Sequence, residues 1–236
     1  MSEPPSYDAS VTLPTPPAAL LLDMDGTLVD TEGVWFEAER VAAERFGGHL
    51  PADANAELVG LDTDSVVATL RRRYGVDAAP ATLRGAIVEA LGDALRTARA
   101  YRGAAELVAA ALERGVRLAV VSNSPRAVVE ATLAPHPWAE RLTLRLSADD
   151  VRRPKPAPDL YRLALERIGL DAARCAVVED SPTGASAALA AGIACVAVLH
   201  DPAHERALRA LTPHVVPSLG AAARCLALAD GATTER

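Results

Sequence analysis

Leu20-Leu21-Leu22-Asp23-Met24-Asp25-Gly26-Thr27-Leu28 is an apolar run that breaks abruptly into acids. From Ala18 to Leu22 no residue is polar, which predicts a short strand buried on both faces of a sheet. Side chains alternate along a strand, so Asp23 and Asp25 leave its end on the same side. Two anions that close repel each other unless a cation or a shared proton offsets them. Gly26 permits a turn that other residues resist. The carboxyl end of a buried strand is where α/β sheets place their ligand sites. A plain polar turn is the other reading of an Asp-Gly step, and the rest of the chain has to decide between the two.

Downstream the rhythm is helix and strand in turn. A helix over Gly103 to Arg114 leads to a strand, Arg117 to Val121, that ends in Ser122-Asn123. A weaker strand near Leu142 to Leu146 precedes a loop holding Arg153-Pro154-Lys155-Pro156, and Pro158 to Gly169 reads as a helix. The strand Cys175 to Val178 ends in Glu179-Asp180-Ser181. A helix over Thr183 to Ala191, a strand over Ile193 to Leu199, and a last strand and helix within Val215 to Leu228 complete the pattern. Such alternation predicts an α/β fold whose parallel sheet is covered on both faces.

Between Glu32 and Arg99 the pattern is helical throughout. Helices are expected over Gly33 to Phe46, with Asp30 or Thr31 as cap, and over Ala52 to Val59, Thr63 to Arg73 and Ala81 to Ala98. Trp35 and Phe36 read first as core at this spacing, with a pocket wall as the other reading, and Arg71-Arg72-Arg73 reads as a solvated helix face. The chain therefore divides into a loose tail over 1–17, a sheet core over 18–30 and 100–236, and a helical insertion over 31–99.

Composition narrows the function. A net charge of −7 argues against nucleic acid as the main partner, because phosphate backbones call for a basic surface. No apolar run approaches the roughly 20 residues that span a bilayer. Met1 to Pro17 lacks the basic and apolar blocks of a signal peptide. Cys175, Cys195 and Cys225 form no CxxC, so a reduced, cytoplasmic protein is expected. Of the 24 basic residues one alone, Lys155, is lysine, which suggests a compact ammonium is needed at that point.

Three strand ends thus carry polar groups: Asp23/Asp25, Ser122/Asn123 and Glu179/Asp180. Parallel strands present their carboxyl ends at one edge, so groups far apart in sequence can converge there. The set holds no histidine or cysteine nucleophile. Its carboxylates suit Mg²⁺ together with waters and a phosphate, its lysine suits phosphate oxygens, and serine and loop N–H groups supply donors. Phosphoryl transfer needs mainly positioning and charge neutralisation. A carboxylate can serve as nucleophile and a second one two residues on as acid and base, roles that Asp23 and Asp25 fit in that order.

Asp23-Met24-Asp25-Gly26-Thr27, then Ser122, Lys155 and Glu179-Asp180, resembles the four ordered motifs of haloacid dehalogenase superfamily phosphohydrolases. Arg153 to Asp159 and Val178 to Gly184 look like the branch of beta-phosphoglucomutase and sugar-phosphate phosphatases. The resemblance implies a Rossmann-like core with a helical cap inserted after the first motif. It implies Asp23 as nucleophile and Asp25 as general acid and base. Mg²⁺ would sit on the Asp23 carboxylate, the Asp25 carbonyl and Asp180, with Glu179 a ligand directly or through water. Ser122, Asn123 and Lys155 would bind the phosphoryl group and Thr27 would steady the first loop. Asp25 speaks against dehalogenation, and a cap without lysine speaks against phosphonate cleavage. The loop Gly60-Leu61-Asp62-Thr63 lacks the basic residues by which a mutase grips a second phosphate. Glu32-Gly33-Val34-Trp35, Ala38-Glu39 and Gly60-Leu61 look closer to sugar- or polyol-phosphate phosphatases. The expected substrate is a small phosphate monoester and the expected assembly a monomer or weak dimer. The alternatives are a phosphomutase of the same branch and, in another class, a phospho-acceptor receiver or binding protein. A receiver's acidic pair precedes its acceptor, whereas Glu179-Asp180 comes last here.

Overall fold

The computed structural model describes residues 11–59 and 61–229. The first strand, β1 (Ala19–Leu22), is followed by a two-residue strand, β2 (Val29–Asp30). Next come helices α1 (Glu32–Arg45), α2 (Asn55–Leu58), α3 (Thr63–Arg73) and α4 (Pro80–Leu91), then β3 (Arg99–Ala100). From there α5 (Ala104–Glu113), β4 (Arg117–Val121), α6 (Arg126–Leu133), β5 (Leu144–Leu146) and α7 (Asp159–Ile168) alternate. The chain continues with β6 (Cys175–Glu179), α8 (Pro182–Ala190), β7 (Ala194–Val198), α9 (Glu205–Leu211), β8 (Val215–Val216) and α10 (Leu219–Cys225).

The main sheet has the order β5-β4-β1-β6-β7-β8, and every neighbouring pair is parallel. This is the α/β architecture the alternation predicts. The chain steps from β1 outward to β4 and β5, then crosses back to β6 on the other side of β1 and continues to β7 and β8. That reversal opens a crevice at the carboxyl end of β1, the place where open α/β sheets bind ligands. Register fixes what meets there, since Leu22 pairs with Val120 of β4 and with Val178 of β6. The next residues along these strands are Asp23, Val121-Ser122 and Glu179-Asp180.

Alternation along β1 explains its lack of polar residues. Leu20 and Leu22 enter one apolar cluster with Leu107, Val120 and Val178, under α5 and α10. Ala19 and Leu21 enter the opposite one with Val121, Tyr161 and Val177, under α7 and α8. Leu21 is wholly buried. Leu21→Ala should therefore cost about 2–5 kcal/mol of unfolding free energy, read from the denaturant midpoint.

The described residues between 32 and 97 hold no strand, as the sequence pattern predicts. Their helices share a third cluster, with Leu58, Val67, Leu70, Leu83 and Ile87 at its centre. Val128 of α6 joins that cluster from the sheet side. The insertion leaves and re-enters the sheet unit through an antiparallel β2–β3 ribbon, Val29 opposite Ala100. Two-residue strands carry too little pattern to be read from sequence. Helices expected over Ala52 to Val59 and Ala81 to Ala98 are shorter: α2 is a single turn, and α4 stops at Leu91 where Gly92 adopts φ +34°. The triple arginine is exposed, as expected. Thr31 precedes α1 but makes no side-chain cap, because its hydroxyl is used elsewhere. Residues 1–10 of the expected tail, and Gly60 of the 60–65 loop, lie outside the described residues. Leu13, within that tail, packs on the first cluster.

Candidate active site

Each site residue sits where a strand gives out. β1 ends against β6 through the Asp23 N–H to Val178 carbonyl bond of 3.0 Å, which leaves the Asp23 side chain in the crevice, 7 % exposed. β4 delivers Ser122, Asn123 and Ser124. β6 delivers Glu179 and Asp180, both buried.

Lys155 arrives from a loop rather than a strand. Its N–H donates to Asn123 Oδ1 at 2.9 Å, and Asn123 Nδ2 donates to the Lys155 carbonyl at 3.0 Å. This two-way amide pairing clamps the lysine backbone to the end of β4, so Asn123 acts on Lys155. The ammonium is 3 % exposed and spends all three protons: on Asp23 Oδ1 at 2.7 Å, Glu179 Oε1 at 2.6 Å and the Val121 carbonyl at 2.7 Å. The Tyr161 ring lies 5.1 Å beneath it. Burial alone would lower the lysine, but Asp23 and Glu179 outweigh it and hold it above its ordinary value.

The acids outnumber that cation. Asp23, Glu179 and Asp180 can bring one oxygen each within 4.8 Å of one another. Three carboxylates against one ammonium leave two negative charges in a buried place. Burial first, then Glu179, push Asp23 from 3.8 up to about 8 against the pull of Lys155. Burial, Asp23 and Glu179 likewise push Asp180 well above the carboxylate range. A divalent cation on oxygen ligands relieves that imbalance, and this donor set fits one.

The three acids are not equivalent. Glu179 Oε1 accepts from Lys155 and from the Tyr161 hydroxyl at 3.0 Å, while Oε2 accepts from Ser181 Oγ at 3.0 Å and two loop N–H groups. Asp180 receives one hydrogen bond on its carboxylate, from Thr27 Oγ1 to Oδ1 at 2.8 Å. Two glycines make room for this packing. Gly26 turns at φ +75°, and a Cβ there would overlap the Asp180 carboxylate. A Cβ on Gly184, in the first turn of α8, would overlap the Glu179 carboxylate. Gly184→Ala should therefore cost about 1–3 kcal/mol of stability, measured by denaturant melting, since Glu179 has no free direction to yield.

Asp25 stands apart from the cluster. Its Oδ1 accepts from Thr31 Oγ1 at 2.7 Å and Trp35 Nε1 at 3.2 Å, and its Oδ2 from Ser124 Oγ at 2.7 Å and Ser122 Oγ at 3.1 Å. Four donors from the start of α1 and the end of β4 thus converge on one carboxylate. Thr31 and Ser124 were not legible as partners, because serine and threonine at an element's edge read first as caps. Of the two readings of Trp35, core and pocket wall, the second holds: its ring lines a cavity between the insertion and the strand ends. Asp23, Asp25, Asn123, Lys155 and Asp180 face that cavity from the sheet, and Glu39, Leu58 and Val66 from the insertion. Thr27, Ser122 and Glu179 lie behind its wall.

Comparison with known proteins gives this geometry its context. A Rhodospirillum rubrum phosphoglycolate phosphatase is 30% identical over 198 residues, covering 80% of this chain and 82% of that protein. An Arabidopsis thaliana bifunctional riboflavin kinase/FMN phosphatase is 29% identical over 182 residues. The match covers 77% of this chain and 48% of that protein, so the chain spans about half the length of that relative. Among solved structures, a CbbY variant from Rhodobacter sphaeroides in complex with xylulose 1,5-bisphosphate superposes with a TM-score of 0.77 at 27% identity. It covers 86% of this chain and 95% of its own. The family model for haloacid dehalogenase-like hydrolases matches residues 20–198. That stretch runs from β1 to the end of β7 and takes in every strand end described above, so the chain belongs to the haloacid dehalogenase-like hydrolases.

Proposed function

We propose that this chain is a Mg²⁺-dependent phosphatase of small sugar or polyol monophosphates that works through a phosphoryl group carried on Asp23. The observation that carries the reading is the buried Asp23–Lys155 contact of 2.7 Å at the cavity floor, beside an acid cluster short of positive charge. In the first step an Asp23 oxygen attacks phosphorus and the bond from phosphorus to the alcohol oxygen breaks. Asp25 gives the departing oxygen its proton. In the second step water attacks the same phosphorus, Asp25 takes back a proton, and the bond to Asp23 breaks to return the free carboxylate and inorganic phosphate.

Each remaining group has a part that follows from its contacts. Lys155, its three protons already placed, keeps Asp23 aimed and offsets the charge that develops on the phosphoryl group beside it. Asn123 fixes the Lys155 backbone, Thr27 fixes Asp180, and Ser122 with Ser124 holds Asp25. Asp23 and Asp180 would hold Mg²⁺ with the Asp25 carbonyl. When bound, the ion supplies charge to anchor and polarise the phosphoryl group. Glu179 has both oxygens filled, so it acts by holding Lys155 and the 180–181 loop, reaching the ion through water at most. The helical insertion over 31–99 serves as a cap that closes over the substrate. The cavity's volume of about 80 Å³, against roughly 10–15 Å³ for one water on a comparable measure, favours a small ester.

The test is phosphate release from p-nitrophenyl phosphate and from a panel of sugar, polyol and glycolytic phosphates. Chelation should abolish it and Mg²⁺ should restore it; release that survives exhaustive chelation sinks the metal role. Stability carries a second signature. The raised Asp23 carboxyl keeps a proton that the unfolded chain has lost between pH 3.8 and about 8. Without metal, folding stability from this group therefore falls as pH rises through that window. Mg²⁺ removes the cause, so its upward shift of the melting temperature should be larger near pH 8 than near pH 5. A shift that is larger at the acid end contradicts this assignment.

A further inference from the structure

Two acids of the insertion face the cavity without a partner, Glu32 at the start of α1, whose Oε1 is buried and unpaired, and Glu39 deeper under the cap. Glu39 lies mid-helix in α1, 3 % exposed, and among the described residues no hydrogen bond or ion pair reaches it. Its neighbours Ala38, Ala42 and Ala43 seal the helix against the third cluster, while Glu39 itself lines the substrate cavity. Burial with no cation nearby pushes its carboxyl up to about 8. A buried acid without a partner destabilises a fold. It plays no part in the chemistry derived above, because nothing links it to Asp23, Asp25 or the acid cluster.

Its surroundings say what it would accept. The cap wall around it mixes apolar Leu58, Leu61 and Val66 with the neutral polar side chains of Asn55 and Thr63. Among the described residues Lys155 is the only lysine or arginine lining the cavity, and it is already committed to Asp23 and Glu179. A second anionic group on a substrate would therefore meet an acid and no compensating cation. A hydroxyl would find in Glu39 an acceptor for its proton. Resting on the phosphatase reading, we propose that Glu39 is the specificity residue of the cap: it receives a hydroxyl of a neutral sugar or polyol phosphate and turns away esters that carry a second anion.

The test compares wild type, Glu39→Gln and Glu39→Leu with Mg²⁺ on p-nitrophenyl phosphate, glycerol phosphate, sorbitol 6-phosphate, phosphoglycolate, fructose 1,6-bisphosphate and phosphoethanolamine. In wild type, kcat/KM for the best polyol phosphate should exceed that for phosphoglycolate by at least about tenfold. Glu39→Leu should cut that ratio by about tenfold or more, mainly through KM, and Glu39→Gln should fall between. The melting temperature of Glu39→Leu should rise by about 3 °C or more, because an unpartnered buried acid is gone. A merely structural residue predicts the opposite: a lower melting temperature and equal losses on all esters, which would overturn the proposal. Wild-type preference for phosphoglycolate, the bisphosphate or phosphoethanolamine overturns it too. So does turnover of p-nitrophenyl phosphate with the polyol-to-glycolate ratio unmoved in Glu39→Leu. No turnover of any ester by wild type removes the phosphatase reading and this proposal with it.

Discussion

Asp23→Asn should lose phosphate-ester turnover by at least about 10³-fold in kcat while the protein stays folded. The substitution is nearly isosteric and leaves the β1 terminus in place, since the Asp23 backbone bond to Val178 does not involve the side chain. What it removes is the attacking oxygen, and an amide cannot form the phosphorylated intermediate. It also removes one of the crowded charges that push Asp180 up. The metal-free variant should accordingly melt no lower than metal-free wild type. The loss should appear in kcat, not in KM, because an interaction made only on the way to the transition state has gone. Two readouts check it: steady-state phosphate release, and intact mass after rapid quenching, where wild type shows an added phosphoryl group and the variant none. Turnover within tenfold of wild type would exclude Asp23 as nucleophile.

Lys155→Met should be the most damaging substitution to the fold at this site. The side chain is matched in length, but two buried carboxylates, Asp23 and Glu179, lose their shared ammonium and the Val121 carbonyl loses its donor. Breaking a buried pair by removing one partner costs about 3–5 kcal/mol. For a chain of this size that is a fall of roughly 6–20 °C in melting temperature. Lys155→Arg should not rescue it, because a planar guanidinium cannot occupy a pocket bounded by Asp23, Glu179, Val121 and the Tyr161 ring. Pairing Lys155→Met with Glu179→Gln should recover part of the stability but none of the activity. The coupling would be read from a double-mutant cycle in chemical denaturant. Additive losses would show that the two residues act separately.

Much of this site was legible because it depends on strands ending. A run such as Leu20-Leu21-Leu22 can only be buried, an acid at its end can only face the crevice, and the alternation with helices makes the sheet parallel. Asp23, Asp25, Ser122, Glu179 and Asp180 follow from those facts. Lys155 was legible for another reason, as the one lysine in a chain that otherwise uses arginine.

Other residues had no such signal. Tyr161 reads as one more apolar position of α7, yet its hydroxyl fills a lone pair of Glu179. Trp35 reads as core or pocket wall, and neither reading shows that it donates to Asp25 across ten residues. Periodicity says which face of a helix is apolar, not what that face is packed against.

By itself, then, the sequence determined the sheet, the helical insertion and the acids at the strand ends, since burial and alternation are local properties of a chain. Only the tertiary structure decided how those acids divide. Glu179 is spent on Lys155 and Tyr161, Asp180 is left nearly free, Asp25 is turned toward Thr31 and Ser124, and Glu39 is left facing the cavity. The reason is that a carboxylate's role is set by which donors reach it, and here those donors come from elements as much as 153 residues away along the chain.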